Sequence, residues 1–216
     1  RTAGCLLLVG AAACAPASTP AATSTTAAIS ADALMAHVSV LPADSMEGRR
    51  SGTPGSVKAR EYLTCAFRDA RLQPLGASFE APVQVMNPRD STMRTANNLV
   101  GVIRGRVTPD RYIVVTAHYD HLGIRDGNIY NGADDDASGT AALIEMARWF
   151  AANPPANSIL FVAFDAEEGG LVGSRGFVAS PPVPKSAMVL NVNLDMVGRN
   201  VRNELYASGT SHHGFL

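Results

Sequence analysis

Four segments of the chain deliver a histidine or an acid to the end of an apolar, strand-like run or to the loop that follows one. They are AHYDHLG (117–123), NGADDDASG (131–139), FDAEEGG (164–170) and NVNLDMVG (191–198). A chain built this way is constrained twice. The apolar runs must lie in a sheet, and their polar ends can meet only beyond the carboxyl ends of its strands. One His and three acids delivered separately to that edge form a nitrogen and oxygen donor set suited to a hard-to-borderline divalent metal. A hydrolytic metalloenzyme is the leading reading.

The stretches between these segments supply the helices. Ser30 is placed to cap a helix over 31–41, with Leu34, Val38 and Leu41 at helical spacing. MEGRRSGTPGS (46–56) is a Gly/Pro/Ser-rich loop. Ser56 then caps a second helix reaching about Leu72, with Leu63, Phe67 and Ala70 on one face. Residues 79–86 hold Pro82 and predict an edge strand or extended loop. Strands are expected at 98–104 and 111–117, where Ile113-Val114-Val115 looks central, and at 158–164, 188–194 and 204–207. The nearly all-apolar 158–164 suits a strand covered on both faces. Helices are expected at 138–152, stopped by Asn153-Pro154-Pro155, and at 170–179. Strands alternating with helices imply an α/β fold: a three-layer sandwich with a mixed, mostly parallel central sheet and helices on both faces.

The first residues read differently. Arg1-Thr2, a short apolar run and small residues before Cys14 make an export signal, too short to span a bilayer as a helix. Small residues directly before Cys14 resemble a bacterial lipoprotein cleavage box, which would give a lipid anchor through Cys14. An ordinary cleaved signal ending near Ala13 or Ala17 is the rival. Either way the protein is expected to be exported: periplasmic, anchored at the outer membrane, or secreted. Residues 15–29, rich in Ala, Pro, Ser and Thr, read as a disordered tether before a catalytic domain over 30–216. With residues 1–13 removed and Cys14 lipidated, Cys65 is left without a partner and reads as a small core residue. Eighteen Lys and Arg against nineteen Asp and Glu give a net charge of −1, and no basic run exceeds Arg49-Arg50. No nucleic-acid partner is expected from that balance.

Each candidate residue also has a plain explanation. His118 alone reads as a strand-end histidine with nothing bound, and Asp134-Asp135-Asp136 as a solvated turn. Asp134 to Glu145 fits the spacing of a calcium-binding helix–loop–helix, but 126–132 is poor material for the helix that must precede it. Glu167 and Glu168 stand at the end of a strand, where neighbouring side chains point to opposite sides. One could ligate a metal while the other faces a bound water. Asp120 could accept the second ring N–H of His118 and fix its tautomer. No Gly-x-Ser-x-Gly elbow is present to support a serine hydrolase.

The order His-x-Asp, Asp-Asp, Glu-Glu, Asp, with DSMEGRRSGTPGS early and ANNLVGVIRG before the first of them, resembles the zinc exopeptidases of metallopeptidase family 28. That family includes aminopeptidases, carboxypeptidases and glutaminyl cyclases. The resemblance implies peptide substrates and two zinc ions. It makes His118 and Asp195 ligands of one zinc, Glu168 a ligand of the other and Asp135 the bridge. It also makes Glu167 the general base that activates a metal-bridging water, and Asp120 the residue orienting His118. A cis peptide after Asp135 is implied as well. The family's final His ligand lies well downstream of the last Asp, whereas this chain runs only to Leu216. The domain is therefore expected to be cut short, with His212 and His213 as solvated loop residues and His121 as a supporting or surface residue. Two rival readings use the same fold: a single-zinc glutaminyl cyclase, and a binding domain that has lost catalysis.

Overall fold

Eight residues, Asn157–Phe164, form the strand around which the described part of the chain is built (β7), and its six interior residues are buried. The computed structural model describes residues 28–86, 91–202 and 204–209. The expected export signal, Cys14, most of the tether, and His212 and His213 lie outside them. Strand β7 pairs antiparallel with Met93–Ile103 (β3) and parallel with Thr108–His118 (β4), which in turn pairs parallel with Met188–Asn193 (β8). The far side of β3 takes two short antiparallel partners, Gln73–Pro74 (β1) and Glu80–Met86 (β2). The sheet is thus mixed. The expected parallel arrangement holds for β7, β4 and β8, the strands that carry the candidate site, while β3 and its partners run antiparallel.

Alternation along the strands explains the layers. From β7, Ile159, Phe161 and Ala163 face one side, and Leu160 and Val162 the other. The first side is covered by two helices, Pro54–Asp69 (α2) and Gly139–Ala152 (α3), with Ala31–Val40 (α1) packed against α3. Their Leu63, Phe67, Leu143 and Ile144 join Ile159 and Phe161 in one cluster. The second side is covered by Val172–Ala179 (α4), whose Phe177 packs with Leu160, Val162 and Val114. An apolar strand with a helical layer on each face gives the three-layer sandwich expected from the alternation. Among the described residues no helix is long and apolar enough to cross a membrane.

Several expectations are corrected. Helix α2 begins at Pro54 behind Thr53, and Ser56 lies buried within its first turn. Proline's fixed φ suits the first helical position, so Pro54 sets the boundary instead of Ser56. No strand forms at 204–207. Asn200 Oδ1 accepts from the backbone N of both Arg202 and Glu204, folding the segment back on its own side chain. Cys65 is half-buried and disulfide-bonded, not a lone core thiol. The expectation had assigned both other cysteines to export. A small hairpin, Gly123–Arg125 (β5) and Asn128–Tyr130 (β6), was not expected. Its turn is Asp126-Gly127, with φ of 51° and 77°.

A polar staple holds α1 on the sheet's helical layer. Glu145 Oε1 can only accept, so His37 Nε2 donates to it at 3.1 Å, and the Tyr62 hydroxyl donates to His37 Nδ1 at 2.6 Å. This hydrogen bond, opposed by burial and helped by Arg148, holds the Glu145 carboxyl below its ordinary range. Glu145→Gln is expected to cost about 1.5–3 kcal/mol near neutral pH, read from the urea midpoint. A lowered folded value means stabilisation that is present above the ordinary glutamate range and lost as pH falls through the folded value. The gap between wild type and variant should therefore close on acidification.

Candidate metal centre

His118 is the last residue of β4 and is anchored at both backbone groups. Its N–H donates to Asp136 Oδ2 at 3.1 Å, and its carbonyl accepts from Thr140 Oγ1 at 2.8 Å. The ring Nδ1 lies 3.1 Å from the Asp120 carbonyl oxygen, which can only accept, so Nδ1 carries the proton. The lone pair of Nε2 then points at Asp135 Oδ1, 3.1 Å away, and Asp195 Oδ1, 3.8 Å away. Asp195 reaches this position because the β4–β8 register pairs Thr116 with Asn193, and the Leu194 N–H continues it to Thr116 O at 2.8 Å. One ring nitrogen and two carboxylate oxygens therefore converge beyond the ends of β4 and β8. Without a metal, burial works against a charge on His118, but the hydrogen bond to Asp120 and the fields of Asp136, Asp120 and Glu167 prevail, raising its pKa to about 9. Those causes make the site favour positive charge.

The three consecutive acids have three separate surroundings. Asp134 Oδ1 accepts from Gly198 N at 3.0 Å. Asp136 is fully buried and accepts from the backbone N of His118, Gly139 and Met196, joining the ends of β4 and β8 to the start of α3. Burial pushes its pKa up to about 7, against the pull of His118 and the backbone donors. Asp135 alone turns its carboxylate toward the histidines. The peptide between Asp135 and Asp136 is cis, as the resemblance implied.

Glu167 and Glu168 diverge, but not through a strand's pleat as expected. Strand β7 ends at Phe164, Ala166 takes a left-handed φ of 55°, and the two glutamates sit in the turn that follows. Asp120 Oδ1 accepts from Glu167 N at 2.9 Å and also stands 3.6 Å from His118 Nδ1, so one carboxylate both holds this turn and faces the His118 ring. Glu167 lines a cavity of about 260 Å³ together with His118 and Asp195. Glu168 lines a second, of about 230 Å³, with His121. There His121 Nδ1 stands 2.7 Å from Glu168 Oε1 and 3.8 Å from Asp135 Oδ2. Two groups of residues could therefore hold metal ions, each with donor atoms within 4.8 Å of one another: His118, Asp135 and Asp195, and His121, Asp135 and Glu168. Asp135 belongs to both.

Sequence reasoning placed His121 outside the ligand set and gave Arg49 no role at all. Arg49 is fully buried and donates four hydrogen bonds to backbone oxygens: Nε to Tyr119 at 2.8 Å, Nη1 to Leu41 and Asn131 at 2.7 and 2.6 Å, and Nη2 to Gly132 at 2.8 Å. It fastens the loop after His118 to the loop before Asp135. Burial lowers its pKa to about 10, while Asp120, Asp136 and Asp135 act to raise it, so it stays charged at neutral pH. The only signal was an Arg in a Gly-rich loop, which nothing in the sequence ties to a partner. Arg49→Met is expected to cost about 3–5 kcal/mol in chemical denaturation, since it strands four carbonyls, two of them on buried residues, and removes a buried cation near the acids. Arg49→Lys should recover only part, because an ammonium cannot reproduce the fork.

The model of peptidase family M28 matches residues 98–215. A probable zinc metalloprotease of Pyrenophora tritici-repentis is 31% identical over 153 residues, which is 66% of this chain and 35% of that protein. The aminopeptidase YwaD of Bacillus subtilis is 38% identical over 122 residues, 54% of this chain and 26% of that protein. The chain thus spans about a third or less of these two relatives. Among solved structures, a Zn-dependent exopeptidase from Parabacteroides distasonis superposes with a TM-score of 0.65 at 22% identity, covering 81% of this chain and 64% of that one. A Bacteroides thetaiotaomicron glutaminyl cyclase gives 0.62 at 22% identity, covering 79% and 63%. At such identities the likeness is one of fold.

Proposed function

The chain belongs to peptidase family M28, and from that premise we propose that it is a zinc-dependent exopeptidase, an aminopeptidase, with two zinc ions that would share Asp135 as a ligand. One observation carries this reading: two donor groups share the two oxygens of Asp135, and Glu167 lies in the cavity beside one of them. The donor chemistry fits. Imidazole nitrogen and carboxylate oxygen are zinc's ordinary ligands, and the protein offers the His118 Nε2 lone pair to two carboxylates that only a cation or proton can reconcile. His118 and Asp195 would hold one ion, Glu168 the other, and Asp135 both. When bound, the ions supply Lewis acidity and make water a competent nucleophile at neutral pH.

The chain's own residues account for the remaining chemistry. Burial raises the pKa of Glu167, His118 opposes that rise, and Asp120, Glu168 and Asp195 add to it. A carboxylate of raised basicity suits a group that must take a proton from water and give it back. Water adds to the scissile carbonyl carbon, its proton passes to Glu167, and the C–N bond breaks as that proton reaches the leaving amine. Asp120 positions both partners: its carbonyl holds the His118 ring N–H, and its carboxylate holds the Glu167 backbone. Phe164 and Leu171 give the adjoining cavity an apolar wall for a substrate side chain, while Asn191 and Asn193 offer polar contacts.

Glu167→Gln in the full-length protein should leave zinc content unchanged and lower kcat on aminoacyl-nitroanilides by at least about 10²–10⁴. Turnover near the wild-type rate would reject Glu167 as the base.

A further inference from the structure

We propose that Asn98 is the positioning residue for Glu167: a buried strand side chain that acts through the backbone of the turn presenting the general base. This rests on the general-base reading above. Strands β3 and β7 run antiparallel, and their pairing ends at Leu99 and Ala163. Beyond it, two side chains stand in for the ladder. Asp165 N donates to Asn98 Oδ1 at 3.1 Å, and Asn97 N donates to Asp165 Oδ2 at 2.9 Å. Asn98 Nδ2 donates in turn to the Gly173 carbonyl at 2.9 Å, inside the first turn of α4.

One amide therefore grips both ends of residues 165–173, and the turn carrying Glu167 lies between the grips. That segment needs a firm hold. Ala166 and Leu171 take left-handed φ of 55° and 60°, a conformation costly for L side chains and kept only where the surroundings over-determine it. The two ends also close on each other: Gly173 N donates to Asp165 O at 3.1 Å, and Val172 N to Ala166 O at 3.0 Å. Nothing larger than glycine fits at the second grip, since a Cβ on Gly173 would fall 2.3 Å from Asp165 O and 2.4 Å from Asn98 Oδ1. The chemistry of the grip is as particular as its place. Asp165 N requires an acceptor and the Gly173 carbonyl a donor; a carboxylate of the same shape offers only acceptors, and an aliphatic side chain neither. Asn98 is 1% exposed, so water is not at hand to replace either bond. Asp120 Oδ1 accepts from Glu167 N at 2.9 Å. Asn98 thus fixes where the turn starts and ends, and Asp120 fixes its middle.

Asn98→Ala in the full-length protein, assayed on aminoacyl-nitroanilides with zinc in excess, should lower kcat at least about tenfold and leave KM within about twofold of wild type. A double-mutant cycle with Glu167→Gln separates positioning from a general structural loss. A residue that acts through Glu167 has nothing left to position once the base is gone. Asn98→Ala should therefore lower the residual turnover of Glu167→Gln by less than about twofold. Asn98→Asp keeps an acceptor for Asp165 N but loses the donor to Gly173, and it should show the same pattern. If Asn98→Ala does not fold, Gly173→Ala disturbs the same grip from the α4 side and should repeat the result. Wild-type kcat in these variants, or an equal loss in both backgrounds, would overturn the assignment. Glu167→Gln turning over at the wild-type rate would overturn the general-base reading, and this inference with it, which is a different result.

Discussion

Asp135 sets one carboxylate oxygen 3.1 Å from His118 Nε2 and the other 3.8 Å from His121 Nδ1. The arrangement around it depends on that double approach. Asp195 and Glu168 close in from either side, so three carboxylates and two imidazoles crowd a small volume. Two like charges 4 Å apart repel by about 4 kcal/mol at an effective dielectric of 20, so such a cluster persists only with a counter-charge. Arg49 is buried nearby but spends its donors on backbone carbonyls. It steadies the loops, and its charge acts on Asp120, Asp136 and Asp135 only through space. A positive guest is what the remaining geometry calls for.

The fold supplies that geometry through strand register. His118 ends β4, Glu167 and Glu168 follow β7, and Asp195 follows β8, three parallel neighbours whose carboxyl ends align. Asp135 comes from the connection between β4 and α3. Fully buried Asp136 then binds the backbone of three of these segments at once. Moving the strands relative to one another would break its hydrogen bonds before it moved the ligands far. Asp165 and Asn98 do similar work on the other side: Asp165 accepts from Asn97 N, and Asn98 joins Asp165 N to the Gly173 carbonyl. The turn that carries the glutamates is thereby tied to β3.

The parts of this architecture governed by period and burial were readable in the chain. The apolar run at 158–164 reads as a strand covered on both faces, and β7 is one. Pro82 marks β2 as an edge strand, and β2 pairs with β3 alone. The four acidic segments do meet at one sheet edge. What could not be read depends on backbone direction after a strand has ended. The left-handed Ala166 sends Glu167 and Glu168 to separate cavities, a choice alanine does not advertise. Asp120 reads as the support of the His118 ring, but that its carboxylate also holds the Glu167 turn depends on the same change of backbone direction. His121 and Arg49 are long-range cases. Each approaches groups mostly far along the chain, and no local pattern records such contacts. The 204–207 segment failed in the opposite way. Its strand-like composition was overruled by a side chain, Asn200, that captured the backbone first.

The central claim is that Asp135 is shared between two bound ions. Crystals of the full-length protein grown with zinc, with diffraction data collected on either side of the zinc absorption edge, test it most directly. The account predicts two anomalous peaks beside the Asp135 carboxylate, one against His118 and Asp195 and the other against Glu168. A single peak at full occupancy, or two peaks that do not both contact Asp135, would contradict it.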